Sequence, residues 1–351
     1  MNTPRLLSLA TAVPPFVLRQ QEVMQLSERL FDRRRSEINR LLPVYSHAGI
    51  ETRYSCVPVE WYFEPHGWRE RAQIYVENAT ALLAEATGRC LKRAGCDPAD
   101  VTGLVVASTT GIATPSVDAL LMERLAMRRD MRRLPIFGLG CAGGVIGLSH
   151  AANMARTAGS GKILFLVVEL CGLTFRYGDH SNSNIIATAL FGDGAAAVLI
   201  DSAGNDAAPG VAFGPGGSHT WSDSLDVMGW RIEEDGFGVL FSRDIPTLVH
   251  RDLRAATEGF LQAHGLGIDD LDGLVCHPGG AKVIDAIEAA FDLPSDRLAE
   301  ARSVLRDYGN MSAVTVLFVL ERMLRKGMAG RYMMTALGPG FTAGFQLLDI
   351  P

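Results

Sequence analysis

The chain has 351 residues, 48% of them hydrophobic, and a formal charge of −6 with acidic and basic side chains interspersed. That length suits about two core units, and the charge pattern excludes the basic stripe of a nucleic-acid-binding protein. No apolar run reaches the ~18 residues of an integral membrane segment; six scattered cysteines, without C-x-x-C pairs or zinc-like spacing, fit a reduced, cytoplasmic protein with no metal site.

The chain opens on MNTPRLLSLATAVP, which has the outline of a signal peptide. Its apolar stretch, 6–13, is broken by Ser8 and Thr11 and ended by Pro14, so it reads as a first strand. Apolar runs and helical spacing then alternate: helix 72–94, strand 104–107, helix 118–126, strand 136–139, helix 145–158, strands 163–168 and 195–200. Alternation of this kind predicts an α/β architecture with helices on the sheet faces.

Segment 201–217, rich in Gly, Ala, Pro and Asp, marks a joint between an N-terminal half, 1–212, and a C-terminal half, 213–351. Beyond it the pattern resumes with a strand–turn–strand over 230–242 and a helix over 245–264. Strand 274–276, helices 282–291 and 311–326, and strands 332–337 and 344–349 follow. In each half a strand ends at a polar residue and leads into a helix: GLGC in the first, VCHPGG in the second.

Cys141 sits in GLGCAGG. Gly138 and Gly140 permit backbone angles other residues resist, and a helix N-terminus favours a thiolate. The thiol is therefore either a nucleophile or a small core residue beside a tight turn. His277 ends a strand in VCHPGG, with Pro278 suited to a first helical turn; it is a base or a structural histidine. Asn310 follows Gly309 and precedes an apolar helix, so it is an N-cap or an uncharged hydrogen-bond donor. Three such turns can form one constellation in space.

The motifs, taken together, are specific. CAGG at Cys141, TFR at 174–176, ALFGDGAAA at 189–197, HPGG at 277–280, YGNMSA at 308–313 and GPG at 338–340 fall in one family's order. The chain resembles the type III polyketide synthases, the chalcone-synthase-like branch of the thiolase-fold superfamily. The resemblance implies a five-layered αβαβα fold built from two similar halves, and a homodimer. It also implies acyl-CoA starters, malonyl-CoA extension, and no metal or redox cofactor.

In that family Cys141 would match the acylated nucleophile and His277 the base that keeps it ionised. His277 and Asn310 together would hold the thioester oxygen during decarboxylation. A His partner brings a thiol from ~8.5 to below neutrality, and donors preplaced on the enolate oxygen are worth about 3–4 kcal/mol each. Phe191 would match an aromatic gatekeeper between the CoA tunnel and the reaction cavity. Thr174 and the loop Gly338, Pro339 and Gly340 would border the substrate.

The departures from the plant enzymes are as informative. Val239 falls where those enzymes carry a second phenylalanine, Ala142 replaces the one after the nucleophile, and Ala336 and Leu337 stand in for the glycine and phenylalanine of GFGPG. Of the basic CoA-phosphate residues, Arg40 and His47 remain as matches. Cys171 and Gly172 replace larger cavity residues, with Thr110 and Thr114 on a nearby loop. Stretch 53–68 looks like the bacterial alkylpyrone and alkylresorcinol synthases. Those features predict a long-chain fatty acyl starter. The rival readings are an initiating ketoacyl synthase fed by acyl carrier protein and a catalytically silent acyl-binding relative.

Overall fold

A computed structural model describes residues 3–31, 41–159, 161–201 and 210–351. Its strands are β1 (Arg5–Ala12), β2 (Phe16–Arg19), β3 (Thr52–Ser55), β4 (Val101–Ala107), β5 (Arg132–Ile136), β6 (Lys162–Leu170), β7 (Asp193–Asp201), β8 (Ala212–Thr220), β9 (Met228–Ile232), β10 (Phe237–Phe241), β11 (Gly273–Cys276), β12 (Gly330–Gly338) and β13 (Thr342–Ile350). Nine of them run in the order β11-β12-β13-β8-β1-β7-β6-β4-β5. β1 and β8 meet at one residue pair, Arg5 with Ala212, so the order divides there into two sheets.

The two sheets repeat one topology. β4 is parallel to β6, β6 antiparallel to β7, and β7 antiparallel to β1. β11 is likewise parallel to β12, β12 antiparallel to β13, and β13 antiparallel to β8. Helix Gly143–Thr157 packs on β4, β6 and β7 of one sheet and on β8, β12 and β13 of the other, while helix Thr315–Arg325 bridges β1 and β7 to β11 and β12. Helix Trp68–Ala94 covers the first sheet outside, and helix Ile245–Gln262 covers the second. The layers are therefore αβαβα. β6 and β7 are buried on both faces and read as near-continuous apolar runs.

Several sequence expectations shift. The edge strand β5 covers Arg132–Ile136, not 136–139, because its pairing with β4 stops where β4 ends, Ala107 opposite Ile136. The apolar 137–139 instead forms the approach to Cys141. Pro278 lies outside its helix, which begins at Ala281. The helix predicted over 311–326 starts as a 3-10 turn, Ser312–Val314, before Thr315–Arg325. None of the described helices is long and apolar enough to cross a membrane.

The repeated topology has a direct consequence for chemistry. The central helices Gly143–Thr157 and Thr315–Arg325 are equivalent by position, and their N-terminal turns abut. A Cβ at Gly144 would stand 2.1 Å from the Ala313 carbonyl oxygen. The glycine thus sets the approach of the turn bearing Cys141 to the turn bearing Asn310. Gly144→Ala is expected to cost about 1–3 kcal/mol by overpacking; thermal unfolding checks this as a lowered melting temperature.

Candidate active site

Cys141, His277 and Asn310 line one cavity of about 930 Å³. Cys141 occupies the 3-10 turn Gly140–Ala142 just before helix Gly143–Thr157. Gly140 holds φ +48°, and a Cβ there would meet Pro339 Cδ at 2.5 Å, so the turn demands glycine twice over. His277 follows the end of β11 and Asn310 follows the Ala299–Tyr308 helix.

Asn310 has a fixed orientation. Its Oδ1 accepts the Ser312 N–H at 2.8 Å, and its Nδ2 donates to the Gly279 carbonyl at 3.0 Å. An amide nitrogen has two hydrogens, and the second remains to serve a ligand. The residue is thus both a local cap and a donor, which the sequence offered as alternatives. Ser312, held at φ +49°, accepts the Cys141 thiol hydrogen, Sγ to Oγ 3.6 Å. Neither His277 ring nitrogen has a hydrogen-bond partner among the described residues, although the side chain is buried. The Thr335 hydroxyl, also buried and also on this cavity, has none either.

Burial dominates the electrostatics. It pushes the Cys141 thiol up to about 12, against the hydrogen bond to Ser312 and with help from the Glu169 charge. Burial alone pushes the His277 imidazole down to about 3. Burial thus disfavours the charged form of both groups, where the resemblance implies a standing thiolate.

Glu169 was missed from the sequence. Its Oε2 accepts the Thr109 N–H at 3.0 Å and the Thr110 hydroxyl at 2.8 Å, while Oε1 is buried with no hydrogen-bond partner. Burial raises its carboxyl to about 7 against these bonds. The signal available was a lone acidic residue inside the apolar run KILFLVVEL. An unfolded glutamate ionises near 4.5 and this one near 7. Between those values the folded state holds the extra proton, so this group makes stability fall as pH rises through the window. Glu169→Gln is expected to gain stability relative to wild type as pH goes from about 4.5 to 7, measured by denaturant unfolding across that range.

The predicted substrate residues lie elsewhere. Phe191, Cys171 and Thr174 line a separate pocket of about 50 Å³ with Tyr62 and Leu26. Val239 joins Cys171 and Phe191 in one buried apolar cluster. The Phe191 ring packs on Phe241 at 5.6 Å, and Phe241 lines the large cavity, so Phe191 stands between the two spaces. Thr110 is spent on Glu169 and on the Leu170 N–H. Thr114 is exposed on the surface loop leading to helix Val117–Arg124 and lines neither space. Gly338, Pro339 and Gly340 back the Cys141 turn instead of facing the cavity: a Cβ at Gly338 would meet the Leu139 carbonyl oxygen at 2.3 Å. Ala336 and Leu337 line the cavity in their place.

His47 is at the cavity, and Arg40 lies outside the described residues. Two cations the sequence did not single out, Arg243 and Lys282, are exposed beside His47, and no carboxylate is among the described lining residues. No group of three or more His, Cys, Asp or Glu among the described residues is placed to hold a metal ion.

The N-terminal domain model of chalcone and stilbene synthases matches residues 3–204, and the C-terminal domain model matches 219–348. The chain belongs to the chalcone and stilbene synthase family. It is 37% identical to a 1,3,6,8-tetrahydroxynaphthalene synthase of Streptomyces peucetius subsp. caesius, over 96% of this chain and 91% of that one. It is 28% identical to the alpha-pyrone synthesis polyketide synthase-like Pks18 of Mycobacterium tuberculosis, over 97% and 90%. The crystal structure of tetrahydroxynaphthalene synthase from Streptomyces coelicolor A3(2), a bacterial type III polyketide synthase, superposes with a TM-score of 0.93, 25% identity and 99% of both chains covered. The chain is thus a type III polyketide synthase with the thiolase-like fold, and the initiating ketoacyl synthase is set aside.

Proposed function

We propose that the enzyme loads a long-chain fatty acyl group from acyl-CoA onto Cys141, extends it with malonyl-CoA by decarboxylative Claisen condensation, and releases alkylpyrone or alkylresorcinol products. The observation that carries this is the convergence of Cys141, His277 and Asn310 on one cavity whose rim bears Arg243 and Lys282, without an ion-pair partner among the described residues. The pyrone named for the mycobacterial relative supports the product class.

The chemistry follows from the geometry. His277 accepts the thiol proton as Cys141 Sγ attacks the starter thioester, then returns it to the departing CoA sulfur. The imidazole is neutral again, with one N–H to donate. Malonyl-CoA binds with its thioester oxygen toward His277 and the free Asn310 Nδ2 hydrogen. Loss of CO₂ leaves an enolate whose negative oxygen these donors stabilise, strongly so in a site shut off from water. The carbanion attacks the Cys141 thioester, the C–S bond breaks, and the extended chain leaves on CoA for reloading. No cofactor enters any step.

Arg243 and Lys282, with His47, are proposed to hold the CoA phosphates. Arg243→Ala and Lys282→Ala are expected to raise KM for acyl-CoA with kcat nearly kept, and added salt to weaken wild type toward the variants. The proposed enzyme is a cytoplasmic homodimer: all six cysteines are free, and Ile112 and Phe137, 51% and 56% exposed, offer apolar contact near the edge strand β5. Mass spectrometry of products from a panel of acyl-CoA starters tests the function. Alkylated pyrones or resorcinols, formed best from long starters, are expected; turnover of malonyl-CoA alone, with long starters ignored, overturns the starter class.

A further inference from the structure

We infer that Arg53 is a positioning residue for the decarboxylation step: its side chain anchors segment 190–192, and that segment fixes where the Asn310 amide stands. This rests on the donor role proposed for Asn310 and adds what holds the donor in place.

Asn310 is tied to segment 190–192 at both of its backbone polar groups. Its N–H donates to the Leu190 carbonyl at 2.8 Å, and its carbonyl accepts the Gly192 N–H at 3.0 Å. The result is a parallel bridge between Phe191 and Asn310. The side-chain bonds to Ser312 and Gly279 set the rotation of the amide; the backbone bonds set its location. The middle residue of the segment is held in turn by Arg53, whose Nη1 donates to the Phe191 carbonyl at 2.8 Å in a buried hydrogen bond.

Arg53 lies on β3 and is 2% exposed. Its stem packs against both partners of the bridge. A Cβ at Gly309 would stand 2.6 Å from Arg53 Cγ, and one at Gly192 would stand 3.5 Å from Arg53 Cβ. Gly309 also holds φ +68°, so the turn into Asn310 admits the arginine stem because it is glycine. At the head, Nε and Nη2 are buried without a hydrogen-bond partner among the described residues. A buried cation with donors left over is unfavourable, and an apolar side chain of similar volume is often at least as stabilising. Stability alone therefore does not account for an arginine here. The bond from its head to Phe191 does, because it ties Phe191, and through the bridge Asn310, to β3. Arg53 borders the small pocket beside Cys171 and is not among the described residues lining the large cavity. It reaches the reacting atoms there through the groups it holds.

The test uses Arg53→Met in the intact enzyme, which keeps the stem and removes the guanidinium. Loading of Cys141 from acyl-CoA is timed by intact mass, and labelled CO₂ released from malonyl-CoA is counted per loadable Cys141. A displacement of about 1 Å costs up to about a hundredfold in rate. Decarboxylation kcat is therefore expected to fall about 10- to 100-fold, with KM for malonyl-CoA and the loading rate within about twofold of wild type. Arg53→Lys, which keeps the charge and a donor, is expected to recover most of the loss. In the Asn310→Ala background Arg53→Met is expected to add less than about twofold, since the donor it positions is already gone. Equal loss of loading and CO₂ release reveals a structural role only, and a raised KM with kcat kept reveals a direct substrate contact. Either result overturns the positioning role, as does the full further loss in the double variant. Decarboxylation retained by Asn310→Ala alone overturns the donor role itself. If Arg53→Met does not fold, Arg53→Gln, whose amide falls short of the Phe191 carbonyl, takes its place with the same outcomes.

Discussion

Cys141→Ala is expected to lose condensation by on the order of a millionfold in kcat, the scale seen when an enzyme's nucleophile is removed. In the proposed reaction the thiol is where both halves meet: it takes the starter from CoA and presents the thioester that the carbanion attacks. Five other cysteines are present, but Cys56, Cys90, Cys171 and Cys276 are buried and none of the five lines the catalytic cavity among its described residues. Intact-mass analysis after incubation with acyl-CoA should therefore show one adduct in wild type and none in Cys141→Ala. An adduct that persists in the variant contradicts the assignment. The substitution fits sterically, since the turn already accommodates a side chain there, so a folded protein is expected.

Asn310→Ala is expected to lose decarboxylation by about 10²–10³, or roughly 3–4 kcal/mol, the cost of one oxyanion donor. Its acylation at Cys141 should stay near wild type, because the amide takes no part in moving the thiol proton. His277→Ala should damage both steps, since in the proposed reaction the imidazole is first the base and then the second donor. The contrast between the two variants separates the roles. Asn310→Ala also frees the Ser312 N–H and the Gly279 carbonyl, so some loss of stability accompanies it. Its acylation rate, read alongside, tells a displaced turn from a missing donor: a displaced turn slows loading of Cys141, and a missing donor does not. Full decarboxylation by Asn310→Ala would leave the residue as a cap only.

The layered fold and the catalytic turns were legible because they carry local signals. Glycines around Cys141 mark a turn that only glycine fits, and apolar runs bounded by polar residues mark buried strands. The convergence of three turns was legible only through family resemblance, because it depends on the abutting of the helices that follow Cys141 and Asn310, through Gly144 and Ala313. Position 136–139 was misread because apolar content does not reveal where a parallel partner ends. Glu169 stayed hidden because periodicity weighs a strand by its apolar majority. Arg243 and Lys282 lie far apart in sequence, and only folding sets them beside His47. Gly338–Gly340 and Thr110 do not line the large cavity because they are taken up by packing and hydrogen bonds at the site's back wall, and other elements wall that cavity.

In the proposed reaction this cavity couples decarboxylation to carbon–carbon bond formation on Cys141. It is tested most directly in a single turnover: enzyme is acylated with a long-chain acyl-CoA, freed of excess starter, and mixed with carboxyl-labelled malonyl-CoA. One CO₂ is expected for each acyl-Cys141 consumed, with a β-ketoacyl product appearing at the same rate. An acyl-enzyme that persists while no labelled CO₂ is released would contradict it.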